Sequence, residues 1–373
     1  MANNVYTPSQ QPALTPNVGW LSDLLHREGR FIALLAAGFM LAGVTFQHPV
    51  AGAWVGFVFA AYSAVANDSI QTLGTFIASN RGKPWWVLWL FIGGVFLATV
   101  TYSWVTYGGD VSYQRLAAKG FETAPTSFSY LQVAAPLFLL VLTRLKMPVS
   151  TTFLLLTGFA TSATSVGKVL TKSLGGYFLA LVLAIVVWTV VSKPLQRMFK
   201  REAHPAWRVA QWCTTALLWS IWLMQDAANI AVYLPRSLGG LEFACFAGVV
   251  VLGLGLMFRM RGERIQEVVE EKSEVVDVRA ATLIDMVFAI ILFYFKMHSK
   301  MPMSTTWVFI GLLSGRELAM TWMRANHRSM KRTLRLITKD LASVTFGLLV
   351  SIALALAVND TFRREIFGAI GLG

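Results

Sequence analysis

Charge is what this sequence has least of. Only 14% of its 373 residues are Asp, Glu, Lys or Arg, against about a quarter in soluble domains. Acid is scarcer still, 19 Asp and Glu against 32 Lys and Arg, so an acid inside an apolar run stands out. There are two cysteines, Cys213 and Cys245, both in apolar runs. They indicate neither a disulfide framework nor a thiolate metal site. The five histidines are scattered and make no metal spacing. No Walker motif, dinucleotide fingerprint or nucleophile elbow is present. ATP-driven pumping within the chain is disfavoured, and the chain reads as a non-enzyme without a cofactor. Residues 1–30, with Pro8, Pro12 and Pro16, lack the basic start, short apolar run and cleavage site of a signal peptide. They read as a flexible cytoplasmic N-terminus.

What is present is long apolar runs joined by short basic links. The runs lie near 31–46, 50–77, 85–105, 128–143, 150–166, 174–191, 209–232, 243–257, 280–295, 305–318 and 341–358. Lipid offers no water to backbone polar groups, so such runs are helices. The expected fold class is all-α, a polytopic membrane protein whose surroundings are the lipid bilayer. The net charge of +13 gathers in the links, which argues for loop topology and against nucleic acid. Links 193–208, 259–279 and 324–339 are rich in Lys and Arg and are expected on the cytoplasmic face. Link 107–126 holds only Arg115 and Lys119 and is expected outside. The expected location is the plasma (inner) membrane, N-terminus cytoplasmic and C-terminus outside.

One string occurs twice: Lys146-Met-Pro-Val-Ser-Thr-Thr152 and Lys300-Met-Pro-Met-Ser-Thr-Thr306. An aspartate within an apolar run also recurs, as Asp68 and Asp226. The order of buried acid, then Pro-x-Ser-Thr-Thr, marks a duplicated unit. Corresponding links differ in cation content, so the copies are expected to be inverted, with a site near the midplane between them. The division is an extra transmembrane helix at 31–47, repeat 1 at 50–192, a cytoplasmic linker at 193–207, repeat 2 at 208–359 and a tail at 360–373.

A carboxylate at such depth is costly and rarely idle. Asn67, Ser69, Gln71, Thr72 and Thr75 surround Asp68 with oxygen and amide groups, and Gly74 lets the helix unwind. Gln225 and Asn229 hold the equivalent places around Asp226. This cluster suits Na⁺, a proton, or hydrogen bonds to an oxyanion. Ser150, Thr151 and Thr152, and Ser304, Thr305 and Thr306, follow prolines that fit a helix start. They either bind an anion at the helix N-terminus or serve as ordinary caps. Asp285, nineteen residues before Ser304, has no counterpart in the first copy. It either couples a cation or pairs with Lys296 or a loop cation.

These motifs resemble the inorganic phosphate transporter family of Na⁺- or H⁺-coupled carriers. That family carries Gly-Ala-Asn-Asp-Val-Ala-Asn-Ala-Phe-Gly-Thr in both halves, followed by Pro-(Val/Ile)-Ser-Thr-Thr-His. Ala66-Asn67-Asp68 and Gly74-Thr75 match in the first half, with Gln71 for the second Asn. In the second half Asp226 and Asn229 match, with Gln225 for Asn and Val232-Tyr233 for Gly-Thr. Phe153 and Trp307 replace the two histidines. The resemblance implies that Asn67, Gln71, Thr75, Ser150, Thr151, Thr152, Gln225, Asn229, Ser304, Thr305 and Thr306 line an oxyanion site. It implies that Asp68, Asp226 and Asp285 carry the coupling ion, with Na⁺ at Asp68 and Asp226. The expected function is symport of phosphate with Na⁺ or H⁺. A permease for sulfate or another oxyanion and an uncoupled anion channel or facilitator stand as alternatives, and a homodimer is the assembly allowed for.

Overall fold

The structure is a computed structural model that describes residues 19–145, 147, 149–199, 202–260, 277–324, 328–369 and 371. Most of the link 259–279, part of the link 193–208, and Lys146 and Pro148 lie outside the described residues. The described residues are helical with no strand. In chain order the helices are α1 Gly19–Thr45, α2 Pro49–Thr72, α3 Gly74–Ser79, α4 Trp85–Thr106 and α5 Tyr130–Arg144. Then come α6 Thr151–Leu154, a 3₁₀ turn at Leu156–Phe159, and α7 Ala163–Phe199. The second half holds α8 Ala206–Ala231, α9 Gly240–Arg259, α10 Val278–His298, α11 Thr305–Trp322, α12 Met330–Val358 and α13 Asp360–Ala369. Seven helices among the described residues are long and apolar enough to cross a membrane. This is an all-α, multi-pass membrane protein.

Two expected spans differ in detail. The run 50–77 breaks at Leu73, so α2 ends at Thr72 and α3 starts at Gly74. Helix α8, the equivalent in the second copy, runs unbroken through Asp226 to Ala231. The run 150–166 is not one helix. The four residues of α6 rise about 6 Å, against about 30 Å of hydrocarbon. The second Ser-Thr-Thr helix, α11, has 18 residues and rises about 27 Å. The polar tail also carries a helix, α13.

Helix contacts pair off when one copy is exchanged for the other. Helix α2 packs on α5 as α8 packs on α10, and α4 packs on α8 as α9 packs on α2. Helix α7 packs along α11, and α12 along α6, so each copy's last long helix lies against the other copy's Ser-Thr-Thr helix. The α7–α11 contact depends on small residues. A Cβ on Gly311 would stand 2.3 Å from the carbonyl oxygen of Tyr177, and one on Gly315 2.2 Å from that of Leu181. Buried side chains from both copies form one continuous core, with Phe57, Phe96 and Phe246 stacked between α2, α4 and α9.

Candidate functional site

The acids sit near the C-terminal ends of α2 and α8, and both Asp68 and Asp226 are buried. Between them lie the starts of α6 and α11. Serine and threonine divide the labour in each Ser-Thr-Thr string. Ser150 Oγ accepts from the Phe153 amide at 3.2 Å, and Ser304 Oγ from the Trp307 amide at 3.4 Å. Those are N-caps, as the plainer reading expected. The threonine hydroxyls are free of capping duty and reach across to the acid-bearing helices.

One contact between the copies occurs in both directions, and further bonds lie within each copy. Gln71 Nε2 of α2 donates to Thr306 Oγ1 at 3.1 Å, and Asn229 Nδ2 of α8 donates to Thr152 Oγ1 at 3.1 Å. Asn67 donates to the Val149 carbonyl at 2.8 Å, and Gln225 to the Leu292 carbonyl at 2.9 Å. Asn67 also donates to Asp68 Oδ1 at 2.7 Å, as Asn229 does to Asp226 Oδ1 at 2.6 Å. Thr151 lies beside Asp68 and Thr305 beside Asp226. Trp222 Nε1 donates to Thr305 Oγ1 at 3.2 Å.

One further feature decides what this cluster lacks. Asp68 Oδ2, Asp226 Oδ2, Gln71 Oε1, Gln225 Oε1 and Asn229 Oδ1 are buried and have no hydrogen-bond partner. All five are acceptors. A buried acceptor without a donor is expensive and requires an explanation. A proton or a hard cation is the kind of group that would satisfy such acceptors. Among the described residues no group of three His, Cys, Asp or Glu could hold a metal ion. The donor set is two carboxylates with amide and hydroxyl oxygens, which suits a hard cation better than a soft, thiolate-seeking metal.

Asp285 and Thr75 form a separate pair. Thr75 Oγ1 donates to Asp285 Oδ1 at 2.8 Å, and Thr215 Oγ1 to Asp285 Oδ2 at 2.6 Å. Asp285 therefore rests on two hydroxyls. Lys296, its suggested partner, lies instead over the Tyr113 ring, 5.3 Å from the centroid. The break at Leu73 turns α3 so that Thr75 faces α10 and not the central cluster.

The chain shares its fold with a solved sodium-dependent phosphate transporter. That structure aligns with a TM-score of 0.54 at 16% sequence identity, covering 87% of this chain and 98% of the other. No family model matches the chain, and no curated protein matches it.

Sequence reasoning named the acids, amides and Ser-Thr-Thr strings that the fold brings together. It missed Thr215 and Trp222, since nothing distinguishes one Thr or Trp in a membrane helix from its neighbours. It also passed over Arg115. Its only signal was its position as one of two cations in a link otherwise without them.

Proposed function

We propose that this protein is a cation-coupled symporter of an inorganic oxyanion, with phosphate as the leading substrate and Na⁺ or H⁺ as the coupling ion. The observation that carries this reading is the pair of buried carboxylates with partnerless oxygens, facing threonine hydroxyls from both copies. The likeness in fold to a sodium-dependent phosphate transporter supports it. In this reading Asp68 and Asp226, with Asn67, Gln71, Gln225 and Asn229, hold the cation. Thr151, Thr152, Thr305 and Thr306 offer hydroxyls to the anion, and Ser150 and Ser304 fix the helix starts that present them. Asp285 and Thr75 form a neighbouring acid site for a second coupling ion.

Coupling follows from charge. An anion about 4 Å from an uncompensated carboxylate meets a repulsion of about 4 kcal/mol at an effective dielectric of about 20. Cation binding removes that repulsion, so the anion binds well only when the cation is present. A site with this property moves both or neither. We place the repeats in inverted orientation in the inner membrane, with the N-terminus inside. Uptake of radiolabelled phosphate and sulfate into proteoliposomes tests the reading, with Na⁺ and H⁺ gradients imposed separately. Accumulation above equilibrium under one gradient is expected. Equilibration alone, whatever the gradient, would establish an uncoupled channel instead.

A further inference from the structure

A second charged feature lies close to this cluster, and the opposite sign dominates it. Arg115, from the link between α4 and α5, is 1% exposed. Its Nε donates to the Met224 carbonyl at 3.2 Å, two residues before Asp226, and its Nη1 donates to the Ser299 carbonyl. Its Nη2 is buried and has no partner. Lys172 of α7 donates to the same Ser299 carbonyl, at 3.4 Å, and to that of Met301. Two cations thus converge on one oxygen. Lys296 lies over Tyr113, and Lys300 donates to Gln114, so two more cations flank the Arg115 segment.

None of these four cations is paired with a carboxylate among the described residues. Asp110, in the same link, is spent on its own turn. Its oxygens accept from the amides of Ser112 at 2.7 Å and Gln114 at 2.6 Å. Burial pushes the Arg115 guanidinium down to about 10, with the charge of Asp226 opposing the shift, so it stays a cation at neutral pH. Tyr113 and Gln114 both adopt left-handed backbone conformations, at φ 54° and 60°. That geometry is unfavourable for such residues and turns Arg115 inward. The cluster also touches the Ser-Thr-Thr helix. Ser173, next to Lys172, accepts from the backbone amide of Ser304 at 2.8 Å.

Arg236, which straps loops, spends both of its terminal nitrogens on carbonyls. Arg115 keeps a buried terminal nitrogen unused, amid like charges, two residues of helix from the acid cluster. We propose that Arg115, with Lys172 beside it, forms a receiving site for a tetrahedral oxyanion, between the face bearing link 107–129 and the Thr151–Thr305 cluster. The site draws the anion out of water and holds it next to the carboxylates until cation binding admits it. The inference rests on the symporter reading for its substrate, but its chemistry is separate. Guanidinium forks bind tetrahedral oxyanions through paired N–H groups, which a lysine imitates only as a point charge.

The test uses full-length protein and inorganic phosphate. Phosphate affinity is read from the thermal shift of detergent-solubilised protein and from the KM of uptake in proteoliposomes. Arg115→Gln is expected to weaken both by about ten- to a hundredfold. Arg115→Lys, which keeps a charge for the Ser299 carbonyl but loses the fork, is expected to fold normally and lose about tenfold. Lys172→Gln is expected to raise KM several-fold and to steepen when combined with Arg115→Lys. If Arg115→Gln fails to fold, Arg115→Lys and Lys172→Gln decide. Wild-type affinity in the folded variants would overturn the proposal and leave the symporter reading intact. Arg115-dependent phosphate binding without gradient-driven uptake would uphold the site and overturn the symporter reading. Absence of both binding and uptake in the wild type would overturn the two together.

Discussion

Asn229 donates to Asp226 in its own helix at 2.6 Å and to Thr151 in the other copy at 3.0 Å. One amide thus joins the acid of the second copy to the hydroxyl of the first. On the symporter reading these are a cation ligand and an anion ligand sharing one donor, and occupancy of one site is then expected to be felt at the other. Asn229→Ala removes the donor from both. The expected result is loss of uptake together with a stability loss of about 1–3 kcal/mol from the stranded acceptors, measured by thermal unfolding in detergent. A transport-competent, fully stable variant would break the link between the two sites.

Asp68→Asn and Asp226→Asn each remove a charge at nearly constant shape. Uptake in either variant is expected to lose its response to the cation gradient while the protein still folds. Proteoliposomes loaded with and without the gradient provide the measurement. A gradient response that survives in both would assign coupling elsewhere, with Asp285 the next residue to replace.

The division between serine and threonine gives a paired prediction. Ser150→Ala and Ser304→Ala each remove a cap and are expected to lower stability by about 1 kcal/mol, with phosphate affinity spared. Thr151→Val and Thr305→Val are expected to lower affinity by about ten- to a hundredfold, with stability nearly held. Thermal melts and KM values, read side by side, separate the two. The opposite pattern would make the threonines structural.

Much of this was legible in the sequence because it depends on local chemistry repeated twice. A membrane run fixes a helix, Ser-Thr-Thr after proline marks a helix start, and recurrence of Asp68 as Asp226 marks the polar turn. What was not legible depends on tertiary direction. The break at Leu73 turns Thr75 toward Asp285, and only in the first copy, since α8 continues through the matching place. The shortness of α6 was hidden because the apolar run continues past its end. Arg115 was hidden because a loop cation reads as a topology marker until the fold carries it inward.

Sidedness is open to direct labelling. Once Cys213 and Cys245, both exposed, are replaced, single cysteines at Thr123 and Lys331 report the two faces. An impermeant thiol reagent applied outside intact cells is expected to label position 123 and spare position 331. Labelling in the reverse order would invert the whole assignment.

The close approach of α11 to α7 sets a steric limit. Gly315→Val would drive methyl groups into the Leu181 carbonyl, already 2.2 Å from the Cβ position. The expected cost is about 1–3 kcal/mol, seen as a lower melting temperature and reduced yield. Gly167→Ala, on open surface with nothing nearby, is the matched control.

The crossed packing of α7 with α11 and of α12 with α6 bears on how the protein is made. When helix α7 leaves the ribosome for the bilayer, the glycine-lined surface it fits has not yet been synthesised. The first half must therefore wait, with its seam against lipid or a chaperone, until α11 is inserted. Two halves translated from separate messages would have to meet in the membrane before either was complete. A nonsense mutation in the linker would leave a fragment for the quality-control proteases and not a half-active carrier.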